Sequence, residues 1–241
     1  MYWLAVVAGL LGGLLGPLIG VGGGVIIVPM LNISGVPFQA AAAASLFSIA
    51  VTAVTSIYNY RKLIDFKMLG RYAAVSLSAA AASAFLSVRY SGTWIKLAYG
   101  IYLIAIGLVM LKNGRPRRQS PRLGYLLILI GGLASSLFGI GGGTIFVPAL
   151  ILVAGLDPKM AAAMSMGVIF PTALASTATY ATLGVLELPL ALSIAAGSFA
   201  GSYISSRYIM PRLGSGSVRK LFTTYVFAVG FYYLWGYFAL A

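Results

Sequence analysis

Apolar residues run along this chain in long blocks, and the polar positions between them are few. The first block covers residues 3–31 and has a glycine cluster inside it. The others cover 38–60, 67–88, 94–111, 123–154, 158–183, 188–208 and 217–239. Most approach the ~20 residues that a helix needs to cross the hydrocarbon core of a bilayer. The pattern predicts an all-α polytopic membrane protein. The opening MYWLAVVAGLLGGLL has no basic leading region and no small-residue cleavage site, so it reads as the first membrane element. The longest polar stretch, KNGRPRRQSPR at 112–122, holds five basic residues and two prolines. It predicts a cytoplasmic linker between a first membrane repeat, 1–111, and a second, 123–241.

The repeat assignment rests on matches between the halves. GVGGGVIIVPML at 20–31 matches GIGGGTIFVPAL at 139–150, an offset of 119. Gly35 and Gly155, Ser45 and Ser165, Thr52 and Thr172, and Ser56 and Ser176 follow at an offset of 120. Asp65 aligns with Glu187, Arg89 with Arg207, and Lys96 with Lys220. Ordered matches over most of each half indicate an internal duplication, a common build of secondary transporters.

The basic residues choose between parallel and inverted halves. If every apolar block crosses once, nine Lys/Arg fall on one side and seven on the other. If each glycine-containing block enters and returns on the same side, the split becomes fourteen against two, with only Arg89 and Lys96 outside. The second arrangement agrees with the excess of Lys/Arg in cytoplasmic loops. It gives two inverted repeats, each a Gly-tipped re-entrant helix hairpin plus three transmembrane helices, with both termini external. The competing reading of 3–31 is a single kinked span.

Consecutive glycines are poor helix interior, each costing about 1 kcal/mol relative to Ala. The clusters at 20–24 and 139–143 therefore predict helix breaks at membrane depth, where loose backbone must be buried in protein or line a wet cavity. A short apolar helix follows each break. Its first N–H groups lack helical partners, and its dipole is positive at that end. Gly22, Gly23, Gly24 and Val25, with Gly141, Gly142, Gly143 and Thr144, are thus candidate anion-binding residues acting through backbone amides. Small-residue packing is the competing reading and accounts for Gly9, Gly12, Gly13, Gly16, Gly197 and Gly201. Ser45, Ser48 and Thr52 lie on one helix face at spacings of three and four; Ser165, Thr172 and Ser176 form the matching stripe. Their hydroxyls are candidate substrate ligands or, alternatively, ties between helices. Pro171 beside Thr172 would loosen its helix.

Composition narrows the chemistry. Only 8% of residues are charged and 61% are hydrophobic, which excludes an ordinary soluble domain. With no His and no Cys, imidazole or thiolate metal sites, thiol nucleophiles and Ser-His-Asp triads are excluded. The sequence implies no cofactor or metal and no enzyme. The net charge of +13 reads as cytoplasmic loops, not nucleic-acid binding. Asp65 and Glu187 read as helix N-caps or dipole partners. Tyr232, Tyr233, Trp235 and Tyr237 read as an interfacial aromatic belt.

At GVGGGVIIVP and GIGGGTIFVP, together with the run from Gly35 into Ser45 and the Asp65 helix entry, the sequence resembles the TauE/SafE family of bacterial and archaeal membranes. The resemblance covers nearly the whole chain. It implies a transporter of sulfur-containing anions such as sulfite or organosulfonates, with export the expected direction and a multi-pass protein in a prokaryotic plasma membrane. An anion channel, or a permease for a different small anion, is the alternative. The implied partners are a small anionic substrate and the lipid bilayer. Oligomeric state stays open, a homo-oligomer included.

Overall fold

A computed structural model describes residues 2–89, 93–111 and 121–240 of the chain. Most of the basic linker expected at 112–122 lies outside the described residues. Among the described residues ten α-helices follow in order: α1 Tyr2–Ile19, α2 Gly24–Ile33, α3 Phe38–Tyr60, α4 Phe66–Arg89, α5 Thr93–Leu111, α6 Pro121–Phe138, α7 Gly143–Leu152, α8 Pro158–Thr182, α9 Leu188–Ile204 and α10 Ser215–Leu240. Among the described residues there is no strand. Five segments of the described residues are long and apolar enough to cross a membrane: Tyr2–Ile19, Phe38–Leu63, Phe66–Arg89, Pro158–Thr182 and Leu188–Arg212. The protein is an all-α polytopic membrane protein.

The helix boundaries have local causes. Asp65 caps α4 by accepting from the Lys67 and Met68 amides at 2.9 and 3.1 Å. Asp157 caps α8 by accepting from the Lys159 amide at 2.9 Å, with Pro158 in the first helical turn. Glu187 departs from expectation: it occupies the cap position of α9, but its side chain makes no capping hydrogen bond. α8 runs straight through Pro171, and the Thr172 hydroxyl donates back to the Val168 carbonyl at 2.7 Å.

Packing pairs the long helices of one half with those of the other, while the short α2 lies on α1 and α3. α1 lies on α9, α4 on both α6 and α8, α3 on both α8 and α9, and α5 on α10. Exchanging the halves turns the α1–α9 pair into the α6–α4 pair, and the α3–α9 pair into the α8–α4 pair. Glycines bring α1 and α9 together: Gly9 sits against the Ile194 carbonyl, Gly13 against Ser198 and Gly201 against Leu10. That register makes the two helices parallel. Ser48 with Ser198, Thr55 with Ser202 and Asn59 with Ser206 make α3 parallel to α9. Ser76 with Thr172 and Ser87 with Tyr180 make α4 parallel to α8.

Two contacts gather the basic turns at one end. The Asp65 amide, in the α3–α4 turn, faces the Met164 sulfur near the start of α8 at 3.2 Å. The Lys159 ammonium donates to the Pro211 carbonyl, in the α9–α10 turn, at 3.1 Å. Arg61, Lys62, Lys67 and Arg212 are exposed at this end.

Candidate functional site

Each glycine cluster reverses the chain. α2 folds back along α1, with Gly12 against Ile27 and Gly16 against Gly22 and Gly23. α7 folds back along α6, with Gly131 against Ile145 and Phe146. Gly23 and Gly142, the residues just before α2 and α7, have φ of 96° and 77°. An L side chain rarely adopts that conformation, which is why glycine stands there. The single kinked span is therefore not what the first block forms; it is a helical hairpin.

The two tips touch. A Cβ added to Gly24 would lie 2.3 Å from the Gly139 carbonyl oxygen, and one added to Gly143 would lie 2.2 Å from that of Gly20. Gly20 rests on Ala162 of α8 and Gly139 on Ala42 of α3. The alanine runs there, 40–44 and 161–163, are buried and let the backbones approach. Each tip is then fastened by the opposite half. The Ser45 hydroxyl donates to the Gly139 carbonyl at 2.8 Å, and the Ser165 hydroxyl donates to the Gly20 carbonyl at 2.6 Å.

These contacts occupy carbonyls and leave amides free. In the first tip, Val21 and Gly22 direct their N–H groups to the Gly16 carbonyl at 3.0 and 3.4 Å. Among the described residues the amides of Gly23, Gly24 and Val25 donate no hydrogen bond, nor do those of Gly141, Gly142, Gly143 and Thr144. All seven residues are buried. Buried backbone N–H groups are almost always paired, because leaving one unpaired costs about 1–3 kcal/mol. Two clusters of unpaired donors at the positive ends of two helices form an electropositive centre with no side-chain charge. Among the described residues no Lys, Arg, Asp or Glu is buried.

The predicted hydroxyl stripes are buried beside the tips and are largely occupied by neighbouring helices. Ser48 bonds Ser198 at 2.5 Å. Thr172 bonds Ser76 at 2.8 Å. Ser176 bonds Ser136 and donates to the Thr172 carbonyl at 2.8 Å. Thr52 differs: its hydroxyl is buried without a partner. In this conformation the stripes tie helices together, and Thr52 alone among the six keeps a free hydroxyl.

Sequence reasoning missed two features. Ile49 of α3 packs on Gly22, Gly24 and Gly141, and Ile169 of α8 packs on Gly141 and Gly143. These two apolar side chains cover the tips. They are an equivalent pair at the repeat offset, a signal that was present but carried no polar atom to draw notice. The second feature is Tyr102 of α5, whose hydroxyl is hydrogen-bonded to that of Thr144. The aromatic belt also needs correction. Trp235 is 78% exposed and Tyr232 is exposed, as a belt requires, but Tyr233 is 4% exposed and faces the interior. The Tyr237 side chain lies outside the described residues.

The sequence profile of the family described as Sulfite exporter TauE/SafE matches residues 5–233. A probable membrane transporter protein of Methanocaldococcus jannaschii is 33% identical over 215 residues, covering 80% of each chain. The probable membrane transporter protein YunE of Bacillus subtilis is 28% identical over 253 residues, covering 91% of this chain and 89% of that one. A probable membrane transporter protein of Xylella fastidiosa is 25% identical over 245 residues, covering 94% and 92%. No solved structure matches the chain.

Proposed function

This chain belongs to the TauE/SafE family of membrane transporters, and we propose that it carries a small sulfur-containing anion, such as sulfite or an organosulfonate, across a prokaryotic plasma membrane. The observation that carries the reading is the set of buried, unpaired amides at the two touching tips, Gly23 to Val25 and Gly141 to Thr144. Such donors recognise an oxyanion without burying a Lys or Arg beside it, which also keeps release easy.

The helix directions support the rest of the reading. α1 parallel to α9 and α4 parallel to α8 are the relations expected of halves inverted with respect to each other. The end carrying Arg61, Lys62, Lys67, Lys159 and Arg212 then faces the cytoplasm, with both chain ends outside. Ile49 and Ile169 cover the tips, so the conformation is occluded. That favours a carrier with alternating access over an open channel. Rocking one half against the other would break and remake the Ser45–Gly139 and Ser165–Gly20 bonds.

The energetics follow from the charge inventory. No buried carboxylate is on hand among the described residues to relay protons. An anion leaving a negative-inside cell runs downhill by ~2.3 kcal/mol per charge for each 100 mV. Export as uniport is the simplest cycle. The test is sulfite flux through the purified protein in vesicles under a clamped potassium-diffusion potential. Saturable flux that follows the sign of the potential supports the proposal. Flux that requires a pH gradient at fixed potential would replace uniport by proton coupling. Inertness toward sulfite and organosulfonates, with flux of another small anion, would move the substrate outside the sulfur class.

A further inference from the structure

The aromatic cluster behind the second tip contains more unpaired hydroxyls than packing explains. Tyr99 and Tyr102 stand three residues apart on α5; Tyr225 and Tyr233 stand eight apart on one face of α10. Tyr99 stacks on Phe138, the last residue of α6, with ring centroids 4.9 Å apart. Tyr233 meets Tyr99 edge-on at 4.8 Å, and Tyr102 lies 5.4 Å from Phe138. Phe138 directly precedes Gly139 of the second tip, so the cluster is built onto that tip.

The hydroxyls of Tyr99, Tyr225 and Tyr233 are all buried with no hydrogen-bond partner. Tyr99 is 0% exposed. The three are close enough to one another to interact electrostatically, and Tyr99 is likewise close to Tyr102. Tyr102 continues the series by bonding Thr144, whose own amide is one of the unpaired donors of the tip. Phenylalanine would fill the same ring space without stranding an oxygen, so ring packing accounts for the aromatic character and not for the hydroxyls.

We propose that Tyr99, Tyr225 and Tyr233 form a second polar station for the transported oxyanion, between α5 and α10, which hands it through Tyr102 and Thr144 to the amides of the second tip. Three neutral phenols donate hydrogen bonds to anionic oxygens and hold no charge that would trap the ion. The station deepens the transporter reading and rests on it. It also makes the route one-sided. The first tip has Val25 where the second has Thr144, and at the offset linking Lys96 with Lys220 the positions of Tyr99 and Tyr102 are filled by Thr223 and Val226.

The test replaces the hydroxyls and keeps the rings: Tyr99→Phe, Tyr225→Phe and Tyr233→Phe, singly and together, in the full-length protein reconstituted in vesicles. Sulfite flux is read against concentration, and thermal stability is read in parallel. The expected result is a KM for sulfite raised roughly tenfold for each hydroxyl that contacts the anion, with melting temperature unchanged or higher. Tyr203→Phe, on the exposed face of α9, is the control. An unchanged KM in the triple variant, beside an active wild type, overturns the station and leaves the transporter reading standing. Loss of flux accompanied by a lower melting temperature overturns it in favour of a packing role. A wild-type protein inert toward sulfite, sulfate, thiosulfate, sulfoacetate and chloride overturns both readings.

Discussion

The two glycine tips have nearly the same backbone and different surroundings. Both begin a ten-residue helix after a left-handed glycine, both carry a proline in that helix, and both are fastened by a serine of the other half. The first tip carries the aliphatic Val25, and the Thr52 hydroxyl of α3 is buried without a partner. The second tip carries Thr144, which bonds Tyr102, and Thr172 of α8, the counterpart of Thr52, is bonded twice. The two tips share their backbone conformation and differ in their polar side chains. A site built from amides tolerates such divergence, because its donors do not depend on residue type so long as the glycines remain.

The sharpest way to break this comparison is at the shared feature. Gly24→Ala and Gly143→Ala each place a methyl 2.2–2.3 Å from a carbonyl oxygen of the opposite tip. Both variants should lose flux and should destabilise the fold by at least the 1–3 kcal/mol typical of overpacking. Flux assays and thermal unfolding in detergent check this, and a tolerated Gly143→Ala would mean that the tips separate readily. Next come Ser45→Ala and Ser165→Ala. Each strands one tip carbonyl, and each should cost about 1–3 kcal/mol, nearly equally. Unequal losses in the unfolding midpoint would show that the two locks are not equivalent.

Smaller effects sharpen the differences. Thr144→Val makes the second tip resemble the first. It should weaken sulfite flux severalfold and lower stability by about 1 kcal/mol, because the Tyr102 hydroxyl loses its partner, while Val25→Thr leaves flux near the wild-type rate. The smallest contrast is Thr52→Val against Thr172→Val. Removing the unpaired hydroxyl should be neutral or slightly stabilising; removing the bonded one should cost about 1 kcal/mol. Matched unfolding curves read that difference directly.

Much of the architecture was legible because it is written in backbone-level signals. Runs of apolar residues marked the helices, and adjacent glycines marked the breaks. The distribution of Lys and Arg placed 61–71, Lys159 and 207–220 on one side, and the Lys159–Pro211 and Asp65–Met164 contacts bring the turns of those segments to one end. Side-chain pairings were not legible, because they depend on which helices meet. Ser48 cannot announce that it will find Ser198, 150 residues away. Tyr233 misled for a related reason: tyrosine is equally at home at a membrane interface and against another ring in the interior. Only the meeting of α5 with α10 decides between them. The glycines permit close packing, and the amides beside it are unpaired; packing and pairing both depend on where the chain reverses, which the glycine runs did announce.

The crossed serine locks have a consequence for how the chain is made. The Gly20 carbonyl waits for Ser165, 145 residues later in the sequence. At about 5–20 residues per second of synthesis, the first hairpin spends roughly 7–30 s in the membrane before its fastening exists. The Gly139 carbonyl has no such delay, because Ser45 is already in place when the second hairpin emerges. The first half therefore enters the bilayer as an unfinished template, and the second half, arriving onto it, completes both fastenings in one closing event.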